Sequence, residues 1–144
     1  VTHCNSPWTI IVPCHNKGSL LQRTLDGIEG VFHREAARNV VVENGSTDDS
    51  REWLEALQLS DPKHSLIKVQ IPRAGLGAAV KAAQRHIEDT EGWVVIAAAD
   101  SAFGETDLRG FRDAVAWNST PCVFAASKLH QESLLLSLVF LSHL

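Results

Sequence analysis

Four short polar clusters in this chain carry side chains able to recognise a ligand: Pro13-Cys14-His15-Asn16, Glu43-Asn44-Gly45-Ser46, Arg73-Ala74-Gly75 with Gly77 just behind, and Asp100. Each follows an apolar run. A carboxylate beside a carboxamide, as at Glu43 and Asn44, can read the donor and acceptor edge of a base or a ribose, and a site built on such bonds rejects analogues that leave its groups unpaired. The run from Glu43 to Asp48 is equally a good turn and helix start, because its residues supply local hydrogen bonds and positive φ. Gly75-Leu76-Gly77 suits either a tight turn or a phosphate cradle, and the third glycine of the dinucleotide fingerprint is missing. Asp100, at the end of a buried run, calls for a cation or a structural hydrogen bond, since an unpaired buried carboxylate is costly. His15 and His130, each taken singly, read as ordinary surface or satisfied histidines.

The elements that must position these clusters alternate β-α-β-α. Trp8 to Val12 reads as a buried strand stopped by Pro13, which cannot donate to a ladder. Ser19 opens a helix with Leu21, Leu25 and Ile28 on one face. Asn39 to Glu43 is the second strand, and Asp49 with Glu52 has capping-box spacing for a helix carrying Trp53, Leu54 and Leu57. Leu66 to Ile71 is the third strand. The segment 72–77 then turns into an alanine-rich helix ending near Asp89, whose inward positions are Ala79, Val80, Ala83 and Ile87. Trp93 to Ala99 is almost continuously apolar, as a central parallel strand covered on both faces would be. A fourth helix over Thr106 to Trp117 uses Leu108, Phe111 and Val115, and Val123 to Ala126 is a fifth strand. The expected fold is a Rossmann-like α/β domain, a mostly parallel sheet flanked by helices. Ligands of such sheets bind beyond the carboxyl ends of the strands, where all four clusters gather.

With 144 residues, the chain reads as a single domain, 1–144, that hides roughly two-thirds of its unfolded surface without staples. Thirteen basic against 17 acidic residues, a pI of about 5.9 and a mean hydropathy of −0.03 describe a globular domain and exclude a general nucleic-acid-binding surface. Cys4, Cys14 and Cys122 are widely spaced and odd in number, which suits reduced thiols in a cytoplasmic protein. There is no methionine, and the chain stops inside the apolar run from Ser133 to Leu144, so it reads as a fragment truncated at its C-terminus. That run is shorter than the about 20 residues of a bilayer span, and no signal-peptide layout precedes it. Membrane contact is expected only through segments beyond this end.

In order and spacing these clusters resemble the family 2 glycosyltransferases of the GT-A fold, from Thr9 to about Ser133. Thr9 to Asn16 is similar to the opening strand and Pro-x-Tyr-Asn element. Val41-Val42-Glu43-Asn44-Gly45-Ser46-Thr47-Asp48 is similar to the Val-Val-Asp-Asp-Gly-Ser-Thr-Asp element that binds base and ribose. Arg73 to Ala83 resembles the Asn-x-Gly-x-x-x-Ala segment lining the nucleotide, and Glu91 to Asp100 the strand that delivers the Asp-x-Asp metal motif. Ser127, Lys128 and His130 resemble the Gly-Ser-Lys/Arg-x-His segment of polyprenyl-phosphate (dolichyl-phosphate) sugar synthases. The resemblance implies an inverting transfer of a sugar from a nucleotide-diphosphate donor to a lipid phosphate at the cytoplasmic membrane face. It also implies Mg2+ or Mn2+ at Asp100, with Lys128 and Arg73 as basic partners of the phosphates.

The sequence departs from that family pattern in three places. Ala98-Ala99-Asp100 occupies the Asp-x-Asp position, Lys17 stands where an acid often follows Asn16, and Asn44 replaces the second acid of the base-binding pair. Magnesium can keep several waters and use one carboxylate plus substrate phosphates. Two competing readings stay open: a catalytically impaired nucleotide-sugar-binding domain, motivated by the alanines, and a nucleotidyltransferase, motivated by Ala99-Asp100-Ser101-Ala102-Phe103. The second would need a glycine-rich, lysine-bearing first loop, and Pro13 to Gly18 offers too few glycines.

Overall fold

The computed structural model describes residues 8–87, 92–100, 106, 108–110, 112–113, 122–126 and 137–142. Its strands are β1 (Trp8–Cys14), β2 (Ala37–Asn44), β3 (His64–Ile71), β4 (Trp93–Ile96), β5 (Cys122–Ala126) and β6 (Ser137–Ser142), in the order β3-β2-β1-β4-β6-β5. The first four are mutually parallel. The strand β6 pairs antiparallel with both β4 and β5. The helices are α1 (Leu21–Val31), entered through a 3₁₀ turn at Gly18–Leu20, α2 (Ser50–Ala56) and α3 (Leu76–Gln84).

Apolar residues on successive positions of β1 and β2 fill two cores because a strand's side chains alternate between faces. Ile10, Val12, Cys14 and Val41 pack with Leu21, Leu25 and Ile28 of α1 and Leu54 of α2 on one face. Ile11, Val40, Val42 and Val94 meet Ala79 and Ala83 of α3 on the other. Those two alanines are fully buried, and their small size lets the helix lie close on the sheet.

Several boundaries differ from the sequence expectation. Pro13 lies inside β1, opposite Val42, instead of ending it. The carbonyls of Ile11 and Pro13 accept hydrogen bonds from Ala97 and Ala99, so the odd positions of β1 face the β4 side. The β1–β4 register stops at Ile11 with Ile96, and the donor that proline lacks falls past it. The helix α2 is not opened by a capping box: the Asp49 side chain makes no cap bond, and Asp48 Oδ1 accepts from the Ser50 amide at 3.0 Å instead. Trp53 is exposed over 42% of its surface, and Leu57, just past the helix, is buried. The helix α3 stops at Gln84; Asp89, where its end was expected, lies outside the described residues. The apolar C-terminal run holds β6, which intervenes between β4 and β5. Of the expected fourth helix, 106, 108–110 and 112–113 are helical, with Leu108 buried in the α1/α2 core.

Candidate functional site

Parallel pairing puts the carboxyl ends of β1, β2, β3 and β4 along one sheet edge, with Cys14 opposite Glu43 and Asn44 opposite Ile71. The loops leaving β1 and β2 are clasped together there. His15 Nδ1 donates to the Asn44 carbonyl at 2.9 Å; because a carbonyl only accepts, Nδ1 carries the proton. Asn16, at φ 53, donates its amide to Ser46 Oγ at 3.0 Å, and its Oδ1 accepts from the Thr47 amide at 2.8 Å. Asparagine tolerates that left-handed conformation better than most residues.

Glu43 and Asn44 are adjacent, so the strand pleat sends their side chains to opposite faces. Glu43 is fully buried on the α2 side. Its Oε1 accepts from the Ser46 amide at 2.6 Å and its Oε2 from Arg51 Nε at 3.1 Å. Asn44 turns toward the β3–α3 loop, where Nδ2 donates to the Gly75 carbonyl at 3.2 Å. Its Oδ1 is buried and has no hydrogen-bond partner among the described residues. The two groups therefore do not form the paired reading edge expected from their neighbouring positions: Glu43 braces the turn, and Asn44 keeps an acceptor in reserve.

Gly45, at φ +66, donates to the Ile71 carbonyl at 2.9 Å. A Cβ there would come within 2.8 Å of Ala74 N and Pro72 O, so only glycine lets the β3–α3 loop lie this close. Arg73, Gly75 and Gly77 are exposed along that loop and the first turn of α3. Asp100 is half-buried four residues beyond β4, and the carbonyl before it, of Ala99, accepts from Thr24 Oγ1 of α1 at 2.8 Å. Among the described residues no three His, Cys, Asp or Glu side chains cluster as a metal cage. Asp100 alone fits a hard cation only where diphosphate oxygens and water complete the shell. Ser127, Lys128 and His130 lie outside the described residues.

Sequence reasoning missed Arg51, Ser50 and Thr24. Ser50 Oγ accepts from the Gly18 amide at 2.9 Å, joining the start of α2 to the β1–α1 connection. Only Ser50 carried a signal, as the first helical residue after an Asp-rich turn. Hydrogen bonds from the Ser50 side chain and amide hold the exposed Asp48 carboxyl below the usual range. Burial pushes the Cys14 thiol up, against hydrogen bonds from Lys17 and Ser50 that pull it down. A thiol held protonated in the fold stabilises it fully below the unfolded value, about 8.5, and less as pH climbs past that point. The urea midpoint is accordingly expected to fall between neutral pH and about pH 9.5, with a shallower fall in Cys14→Ala.

A family model described as glycosyl transferase family 2 matches residues 9–134. No curated protein matches the chain. Among solved structures, the chain is similar to the mannosyltransferase PcManGT from Pyrobaculum calidifontis in complex with GDP-Man and Mn2+, with 30% identity and a TM-score of 0.59 over 81% of this chain and 33% of that one. It is also similar in fold to S. aureus TarS 1-349, with 18% identity and a TM-score of 0.66 over 89% of this chain and 38% of that one. The chain thus spans between about a third and two-fifths of the length of these structures. The architecture is GT-A-like, with four parallel strands of the six-stranded sheet flanked by helices, and the residues that clasp its edge, 14–16 and 43–51, all lie within the matched span. The chain belongs to glycosyl transferase family 2.

Proposed function

We propose that this chain is the nucleotide-sugar-binding part of a glycosyltransferase, taking a nucleotide-diphosphate sugar as donor. The observation that carries the reading is Asn44 Oδ1, a buried acceptor at the carboxyl edge of the sheet without a partner among the described residues, on a side chain whose other end is fixed by Gly75. Leaving such an atom unpaired costs about 1 to 3 kcal/mol, and a base that presents a ring N–H, such as guanine or uracil, would satisfy it once the exposed β3–α3 loop over this buried atom gives way. The similarity to a mannosyltransferase holding GDP-Man supports this choice of donor class.

Asp100, together with the donor's diphosphate oxygens, would hold Mg2+ or Mn2+; the Mn2+ in the same mannosyltransferase structure supports a divalent ion. When bound, the ion supplies charge neutralisation for the departing diphosphate. Exposed Arg73 adds a second positive charge on the same edge. In the proposed transfer, an acceptor oxygen forms a bond to the anomeric carbon as the bond to the diphosphate breaks, with inversion, and the nucleoside diphosphate leaves. The resemblance of Ser127, Lys128 and His130 to polyprenyl-phosphate sugar synthases supports a lipid phosphate as acceptor, which would place the work at the cytoplasmic face of a membrane. Among the described residues no helix is long and apolar enough to cross one.

Calorimetric titration with UDP, GDP and ADP in the presence of Mn2+ tests the donor class. UDP or GDP is expected to bind, and Asn44→Ala to weaken that binding by about tenfold, the equivalent of one buried hydrogen bond. Unchanged affinity in a folded variant would remove Asn44 from the site. A second reading, binding without transfer, is favoured by Ala98 and Ala99 where the motif carries its first acid. Release of nucleoside diphosphate from a donor offered with a polyprenyl phosphate separates the two.

A further inference from the structure

We infer that Arg51 is a positioning residue for the nucleotide site, acting through Glu43 without touching the ligand. This rests on the nucleotide reading above. Glu43 is 0% exposed, and the contacts described for its carboxylate are one amide, Ser46 N, and one cation, Arg51. A carboxylate so enclosed is tolerated only while it is paired and hydrogen-bonded. Arg51 is the second residue of α2, and a cation in the first helical turn opposes the helix dipole. Its placement is therefore unfavourable for the helix and explained by Glu43.

The consequence runs outward along a chain of single bonds. Arg51 holds Glu43 Oε2; Glu43 Oε1 holds the Ser46 amide; Ser46 Oγ holds the Asn16 amide; Asn16 Oδ1 holds the Thr47 amide. Asn44 sits between Glu43 and Gly45 within this brace, so the direction of its unpaired Oδ1 depends on the turn staying closed. Without Arg51 the buried carboxylate loses its described cation and is driven toward water, which loosens its grip on Ser46. The guanidinium is half in solvent, with 55% of the side chain exposed, so its loss leaves no large cavity to unfold the domain.

The test is a double-mutant cycle on this chain, Arg51→Ala and Glu43→Gln singly and together, with Arg51→Lys as the conservative variant. UDP and GDP affinities are measured well below each variant's melting temperature. Arg51→Ala is expected to weaken nucleotide binding about tenfold, and Arg51→Lys to recover most of it. In the Glu43→Gln background, where no buried charge needs a cation, Arg51→Ala should cost less than about threefold. An equal loss in both backgrounds would mean that Arg51 contacts the ligand itself, and a lowered melting temperature with unchanged affinity would mean it only stabilises the fold; either result overturns the proposal. Amide hydrogen exchange supplies a ligand-free readout. Faster exchange at Asn16, Ser46 and Thr47 in Arg51→Ala, with α1 amides unaffected, supports the brace, and unchanged exchange at those three refutes it. If the parent binds neither nucleotide, the donor reading fails and the exchange result alone decides the role of Arg51.

Discussion

Gly18→Ala is expected to lower the melting temperature by about 10 °C and to weaken nucleotide binding in the protein that remains folded. A Cβ at Gly18 would lie 2.4 Å from Ser50 Cα and 2.9 Å from both its Cβ and its Oγ. The nearest atom is backbone, so no rotamer change relieves the clash, and overpacking of this kind costs about 3 kcal/mol. The strain falls where the β1–α1 connection meets the start of α2, the contact that brings Asn16 to Ser46 and Thr47. Gly30 provides the control. It lies in α1 with nothing within 4 Å of a built Cβ, and Gly30→Ala should raise stability by about 0.5 to 1 kcal/mol. Thermal melting of both variants checks the pair. Equal melting temperatures for Gly18→Ala and the parent would show that the two connections are not packed as described.

Asp100→Asn is expected to abolish most of the effect of Mn2+ on nucleotide affinity, a coupling of about tenfold or more in linked sites of this kind. The amide keeps the shape of the carboxylate and removes the negative charge that a hard cation needs. The backbone just before it is held by Thr24 Oγ1 on the Ala99 carbonyl, so the residue is presented from a fixed point, not from a loose loop. Ala98→Asp should strengthen the coupling. Ala98 is half-exposed where Ala99 is buried, so a carboxylate at 98 can be solvated when no ion is bound. If Asp100 serves only as a local hydrogen-bonding group, its replacement lowers stability by about 0.5 to 2 kcal/mol and leaves the metal dependence intact. Nucleotide titrations with and without Mn2+, beside thermal melts of both variants, tell these outcomes apart. Unchanged coupling in both would favour the binding-only reading.

Apolar periodicity is a local property, and it carried the alternation of strands and helices, the two-faced burial of β1 and β2, and the gathering of Cys14, Asn44, Ile71 and the residues after Ile96 along one edge. The four polar clusters followed from it, since parallel strands must all end their polar connections on the same side. The family was readable as well, because its motifs are short runs whose order along the chain is preserved. What each polar group does was not readable. Whether Glu43 meets a ligand or Arg51, whether Asp48 or Asp49 caps α2, and why position 18 is glycine all depend on partners brought close by folding. Adjacent residues look like a pair on paper, but the pleat turns Glu43 and Asn44 to opposite faces, making one a brace and leaving the other a buried acceptor with no partner among the described residues. The place of β6, antiparallel between β4 and β5, likewise rests on long-range pairing, which no local pattern encodes.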